Sequence, residues 1–156
     1  EAKLVFMAHA LMENRHGLCL DIHIRTADGY AEREAALKML ARQGRKRIKP
    51  KTLGADKGYR TKDFVARLRR RGIVPHIARI DSRKTPGLDA RTTRHGGYAL
   101  SQKKRKRIEE IFGWMKTVGG LRKTRVRGIE RTQLLAHLAG TAYNLLRISR
   151  LCPATG

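Results

Sequence analysis

Two carboxylates stand where the chain could use them for chemistry. Asp56 closes the apolar run Thr52-Leu53-Gly54-Ala55 and is followed at once by Lys57-Gly58-Tyr59. A carboxylate at the carboxyl end of a strand lies on the sheet edge where α/β folds collect ligands. The same residue also serves simply as a turn former, since Asp before a Gly-containing turn is common. Glu109 lies in a helical run that opens at Ser101. At about 100° per residue, Ile108, Ile111, Phe112 and Met115 form one apolar stripe. Arg105, Glu109 and Lys116 fall on a line beside it, because 109 − 105 = 4 and 116 − 109 = 7. Glu110 is turned about 100° further toward solvent, which leaves Glu109 at the rim of the buried face. An acid at a core edge between two cations suits metal or phosphate chemistry. The same spacing also describes a charge ladder on an exposed helix.

The elements that must position these residues follow from periodicity. Residues 4–12 are apolar, Glu13-Asn14-Arg15-His16-Gly17 is turn-like, and 18–26 alternates in its second half, which predicts a hairpin. Residues 31–43 predict a helix with an apolar side at Ala35, Leu37, Met39 and Leu40, and Asp28 is a candidate cap. Residues 52–56 predict a strand, 61–71 a helix with Phe64, Val65 and Leu68 on one face and Gly72 as its stop. Residues 73–80 predict another strand, in which Pro75 argues for an early or edge position. The polar stretch 81–97 reads as a long surface loop, and Ser101 as the cap of a helix reaching 116 or 117, ended by Gly119-Gly120. A last helix is expected over 130–150, apolar at Leu134, Leu135, Leu138, Ala142, Leu145, Leu146 and Ile148. The order is that of an α/β fold with one mixed sheet in a single domain, residues 1–156.

Charge narrows the function. The 156 residues carry 36 Lys and Arg against 13 Asp and Glu, a formal net charge of +23 spread along the chain. Self-repulsion of that size opposes a compact fold and points to a polyanionic partner, nucleic acid first. The densest clusters are Lys103, Lys104, Arg105, Lys106 and Arg107, and then Arg122, Lys123, Arg125 and Arg127. Cys19 and Cys152 form no CxxC pair, which argues against a zinc site or a disulfide framework and suits a reducing cytoplasm. No apolar stretch is long enough to span a membrane. The histidines show no ligand spacing; only His95, ahead of the Glu109 helix, is placed to neighbour a site. Trp114, on the less buried side of its helix, either packs on a neighbouring element or stacks on an unpaired base.

Several separated stretches resemble insertion-sequence transposases of the IS4/IS5 type. They are Leu53-Gly54-Ala55-Asp56-Lys57-Gly58-Tyr59, the run 101–116, its continuation 117–128, Glu13-Asn14-Arg15-His16-Gly17-Leu18, and Ala31-Glu32-Arg33-Glu34-Ala35-Ala36. They cover nearly the whole chain and occur in the family's order. The resemblance implies an RNase H-like mixed sheet flanked by helices and an Asp-Asp-Glu triad holding two Mg²⁺ or Mn²⁺ ions. The second aspartate maps to Asp56 and the glutamate to Glu109, as catalytic metal ligands. Arg105 and Lys116 complete the glutamate's pattern and would hold phosphates of the transposon end. Lys103, Lys104, Arg107, Arg122, Lys123, Arg125 and Arg127 would contact the DNA backbone. The tyrosine that opens the pattern in many relatives is Gln102 here, and Tyr98 is off register.

The first aspartate has no counterpart. The family places it on the first strand, upstream of this hairpin, and Asp21 belongs to a later strand. The expected protein is thus a metal-dependent DNA transposase that cleaves and rejoins strands, truncated and inactive as it stands. Its partners would be transposon ends, target DNA and further copies of itself in a synaptic complex, in the bacterial cytoplasm at the nucleoid. The rival readings are a non-catalytic basic nucleic-acid-binding protein, such as a ribosome-associated one, and the product of a decayed transposase gene. A sheet without its first strand exposes an edge that is normally central. The chain is therefore expected to aggregate or to be partly folded without DNA; a sharp two-state melt of a monodisperse monomer would contradict this.

Overall fold

The computed structural model describes residues 6–26, 31–79, 88 and 90–152. The chain forms two compact units, one from Glu1–Lys46 with Arg107–Gly156 and the other from Arg47–Lys106.

In the first unit, β1 (Phe6–Met12) and β2 (Cys19–Thr26) pair antiparallel, as the alternating pattern predicts. The turn between them closes on itself. The Glu13 carboxylate accepts from the backbone N–H of Arg15 and His16, and Gly17 takes the left-handed conformation at φ 73°. The register skips one residue on β2, so that Leu11 faces Asp21 and Met12 faces Cys19. This bulge at Leu20 resets the alternation and turns both Cys19 and Ile22 toward the same core. The buried Gln43 amide, from helix α1 (Ala31–Arg45), donates to the Leu20 carbonyl at 3.2 Å. Asp21 points to the same helix and receives a bidentate Arg42 fork at 2.7 and 3.0 Å. The cap expected at Asp28 lies outside the described residues.

On the other face of the hairpin lie α5 (Ile108–Thr117) and α6 (Ile129–Leu151). Ile22, Ile24, Ile111, Met115, Ala136, Ala139 and Tyr143 form the core there with Cys19. Ile111 and Met115 bear out the expected stripe, with Ile108 and Phe112 at its half-buried border. Gly120, at φ 66°, ends α5 as expected, and the Leu121 N–H closes back on the Met115 carbonyl at 2.9 Å.

Helix α6 departs from expectation. Leu134, Leu138, Leu145, Leu146 and Ile148 are exposed, and the buried positions are Thr132, Ala136, Ala139, Gly140 and Tyr143. Small residues let the helix backbone approach β2 so closely that a Cβ at Gly140 would stand 2.6 Å from Ile22 Cδ1. Two side-chain amides then bond the strand's outer edge. Asn144 accepts from Cys19 N–H and donates to Cys19 C=O, both at 2.8 Å. Gln133 accepts from Ile24 N–H at 2.8 Å and donates to Ile22 C=O at 3.0 Å. The outer edge of β1 has no such cover: the outward amides of Ala8 and Ala10 find no partner among the described residues.

In the second unit, β3 (Thr52–Ala55) and β4 (Val74–Ile77) pair parallel, with Gly54 opposite His76 and Ala55 opposite Ile77. They are joined by α2 (Lys62–Arg70), capped by Thr61 Oγ1 on the Phe64 N–H at 3.3 Å and buried through Phe64, Val65 and Leu68. Pro75 is the second residue of β4, an early position as anticipated, and is fully buried. In place of the single mixed sheet expected, the described residues form two separate two-stranded ladders, one antiparallel and one parallel, because β1–β2 and β3–β4 make no hydrogen-bonded pair with each other.

Two further expectations are corrected. The stretch taken as a loop to residue 97 contains α3 (Ala90–Arg94), and α4 (Gly96–Lys104) starts before Ser101. Ser101 is therefore no cap. It is buried inside α4, where its hydroxyl lies against Gly54 and has no hydrogen-bond partner among the described residues. The run to Thr117 is also not one helix, since a 3₁₀ turn at Arg105–Arg107 separates α4 from α5.

The Gly140 contact predicts a stability change. Gly140→Ala should cost about 1–3 kcal/mol by overpacking, and Ile22→Val in the same chain should recover part of it by removing the clashing methyl. Additive losses in urea melts of the single and double variants would show that the two positions do not share this contact.

Candidate active site

Asp56 owes its position to the end of β3. Its backbone is extended (φ −74°, ψ 168°) and it caps the 3₁₀ turn Lys57–Tyr59, with Oδ1 accepting the Lys57 N–H at 2.5 Å. The bland role, shaping a turn, is thus fulfilled. The side chain is nevertheless 62% exposed, and its Oδ1 lies 3.7 Å from Arg105 Nη1. One carboxylate oxygen therefore serves the turn while the group as a whole stays accessible at the strand's end.

Arg105 reaches this place because α4 lies on the β3–β4 pair. Gly54 permits the approach: a Cβ there would stand 2.9 Å from Ser101 Oγ and 3.5 Å from Arg105 Cβ. Three side chains of α4 and its end fasten the contact. Tyr98 Oη donates to the Ile77 carbonyl at 2.8 Å, and Gln102 Nε2 donates to the His76 carbonyl at 2.5 Å. Arg105 Nε donates to Gln102 Oε1 at 3.0 Å. The buried His76 ring meets Tyr98 edge-on, with centroids 5.6 Å apart. His95 is an exposed residue just before α4, and its carbonyl accepts the Tyr98 N–H at 2.8 Å.

Glu109 is in the first turn of α5 and belongs to the other unit. It was expected at the rim of the buried face with Glu110 turned outward. Both are exposed, and it is Glu110 that is engaged, 3.4 Å from Arg147 Nη1 of α6. Glu109 has no hydrogen-bond or ion-pair partner among the described residues. Lys116 shares its side of α5, seven residues on, and is exposed. The angular count that added Arg105 to their line assumed an unbroken α-helix, and it does not carry through the intervening 3₁₀ turn.

The basic residues divide by use. Arg107 Nη1 donates to the carbonyls of Asn14 and Arg15 at 3.4 and 3.1 Å, so it braces the hairpin turn. Lys103, Arg122, Lys123, Arg125 and Arg127 are exposed, Lys104 is half-buried, and none of their side chains has an ion-pair partner among the described residues. Trp114 packs edge-on against Tyr143 at 5.8 Å, which settles it as a core-border residue.

Among the described residues no group of three or more His, Cys, Asp or Glu is placed to hold a metal. Burial pushes the Cys19 thiol up to about 12, so it offers no thiolate. Asp56 and Glu109, one in each unit, are exposed oxygen donors of the kind hard divalent cations take. Sequence reasoning missed the Arg42 pair of Asp21, the Arg147 pair of Glu110 and the linking role of Gln102. These partners come from distant elements, and no spacing rule connects them.

A chain with an exposed carboxylate at a strand end, a cation against it, a second unpaired acid on a helix and a large uncompensated positive charge has the parts of a nucleic-acid-processing enzyme. Residues 2–145 match the family model described as the transposase DDE domain, and the chain belongs to that family. Neither a curated protein nor a solved structure matches it. Among the described residues no helix is long and apolar enough to cross a membrane.

Burial holds the His76 imidazole below its ordinary value of 6.5, and the charge of His95 adds to this. Burial also lowers His23, against a hydrogen bond from its Nδ1–H to Gln133 Oε1 that raises it. In both cases the fold disfavours the protonated form, so the unfolded chain binds protons more readily. The associated stability is present above pH 6.5 and is lost as pH falls toward the lowered folded values. Melting temperature should therefore fall on acidification from about pH 7 to 5, and less steeply in His76→Gln. An unchanged slope in that variant would remove His76 from the account.

Proposed function

We propose that the chain acts in DNA-mediated transposition as a DDE transposase of the IS4/IS5 insertion-sequence type, and that Asp56 and Glu109 are two of its three metal-holding carboxylates. The observation that carries the reading is Asp56 itself. In a chain of the transposase DDE domain family it is an exposed acid at the end of the half-buried strand β3, faced by the Arg105 guanidinium. No residue of this chain is assigned to the first aspartate. Asp21, the first aspartate of this sequence, is spent on Arg42.

Two Mg²⁺ or Mn²⁺ ions, when bound, would activate water or a DNA 3′-hydroxyl and stabilise the leaving oxygen of an in-line displacement at phosphorus. The chain's own residues do the rest. Asp56 and Glu109 supply oxygen donors and negative charge. Arg105 presents a planar fork to a phosphate of the transposon end, and Lys116 a point charge beside Glu109. Lys103, Lys104, Arg122, Lys123, Arg125 and Arg127 contact the backbone and give affinity without sequence readout. Arg107 contributes charge while holding the hairpin turn. The transposase would work as a homo-oligomer on paired transposon ends and target DNA, at the nucleoid. A purely nucleic-acid-binding role is the second reading, favoured by the absence of a complete metal cluster among the described residues.

Plasmid nicking in Mn²⁺, beside a Glu109→Gln control, and duplex binding across a salt series test this. With only two of three carboxylates, no nicking by this chain is expected, together with binding that weakens steeply with salt. Replacing Arg122, Lys123, Arg125 and Arg127 by Ala should shallow the salt slope by about one per lost phosphate contact. Nicking abolished by Glu109→Gln would mean that another acid completes the site. Binding indifferent to salt and to those four residues would sink the DNA reading altogether.

A further inference from the structure

We propose that Gln102 is a positioning residue that holds the Arg105 guanidinium beside Asp56, ready for a DNA phosphate. The inference rests on the assignment of Arg105 as a phosphate contact. Its basis is a chain of three contacts within one compact unit. Gln102 Nε2 donates to the His76 carbonyl at 2.5 Å, Gln102 Oε1 accepts from Arg105 Nε at 3.0 Å, and Arg105 Nη1 stands 3.7 Å from Asp56 Oδ1. The orientation of the amide is dictated by its neighbours. The carbonyl can only accept and Nε–H can only donate, so only this placement of nitrogen and oxygen satisfies both.

The anchor is firm. His76 is a buried residue of β4 facing Gly54, and the next residue, Ile77, is tied to α4 by Tyr98 Oη at 2.8 Å. The carbonyl that holds Gln102 therefore belongs to a strand already fixed to the helix. Arg105 by contrast stands where α4 gives way to the 3₁₀ turn, on a long side chain with about 2 kcal/mol of rotamer entropy. Asp56 cannot restrain it alone. At 3.7 Å and 62% exposure the ion pair is loose and largely screened. A bond to Nε fixes the plane of the guanidinium and leaves unclaimed by Gln102 its two terminal nitrogens, of which Nη1 stands 3.7 Å from Asp56 Oδ1; that is the edge a phosphate takes bidentately.

The chemistry also explains why an amide suits the position. A glutamate at 102 would hold Nε but would lose the donor to His76 and cancel the charge meant for phosphate. A neutral amide orients the cation and leaves its charge intact.

The test uses the full chain and a 30-bp duplex followed by fluorescence anisotropy over a salt series, with Arg105→Ala, Gln102→Ala and the double variant. Arg105→Ala should weaken binding several-fold and lower the salt slope by about one. Gln102→Ala should reproduce most of that loss in the presence of Arg105 and add nothing in Arg105→Ala. Gln102→Met keeps the side chain's length without its hydrogen bonds. In it the Arg105 Nε–H resonance, protected in the native chain, should exchange rapidly while the backbone spectrum is retained. If Arg105→Ala weakens binding and Gln102→Ala does not, the positioning role is wrong and the phosphate contact stands. Equal losses from Gln102→Ala in both backgrounds would mean that it only steadies α4, which overturns the proposal. If Arg105→Ala itself binds as well as the native chain, both assignments fall, and the basic 122–127 segment is left to carry the DNA reading.

Discussion

The close approach of a helix to a short strand is the constraint on which each unit depends. Strands of four to eight residues cannot bury an apolar face by themselves, and both units solve this by setting a helix onto the strand at a glycine. Gly140 of α6 meets Ile22, and Gly54 of β3 meets Ser101 of α4. In the second unit this contact has a chemical result. It brings the end of α4 over the carboxyl end of β3, so that Arg105 can reach Asp56 from a position 49 residues further along the chain, since 105 − 56 = 49.

Approach at that distance also exposes backbone polar groups to the helix, and the structure answers with amide side chains. Asn144 and Gln133 bond the outer edge of β2, Gln43 takes the carbonyl of the bulge, and Gln102 takes the last carbonyl but one of β4. Each buried donor or acceptor left unmatched would cost about 1–3 kcal/mol, so these four residues are as necessary as the apolar core. Gln102 differs from the rest in that its second hydrogen bond goes to a cation beside the candidate site.

The acids separate into those consumed by the fold and those left available. Asp21 is bound by Arg42, Glu13 by the backbone of its own turn, and Glu110 by Arg147. Asp56 holds only a loose ion pair, and Glu109 none among the described residues. With a net charge of +23 cations are abundant, yet Glu32 and Glu130 are likewise exposed without a partner among the described residues, so openness alone does not single out Asp56 and Glu109. What sets Asp56 apart is its place at the end of β3 with the Arg105 guanidinium 3.7 Å away.

Much of this was legible in the residues. The hairpin, α1, the strand ending at Asp56, the helix over 61–71 and the Gly119-Gly120 stop follow from periods of two and 3.6 residues and from local backbone chemistry, which are properties of neighbouring positions. The family motifs around Asp56 and Glu109 likewise reside in contiguous sequence. What periodicity could not decide was which apolar face is covered. The leucines of α6 look like the core by composition, yet Ala136, Ala139 and Gly140 are buried, because only small side chains let the helix meet β2. Nor could spacing find the partners of Asp21, Glu110 and Asp56, or show that the Glu109 run is interrupted at Arg105–Arg107. The sequence by itself determined most of the strands and helices, the charge and the family. The tertiary structure alone decided which acids are paired, which cation stands over Asp56 and what holds it there, because hydrogen bonds and ion pairs act over a few ångströms between residues that the chain keeps far apart.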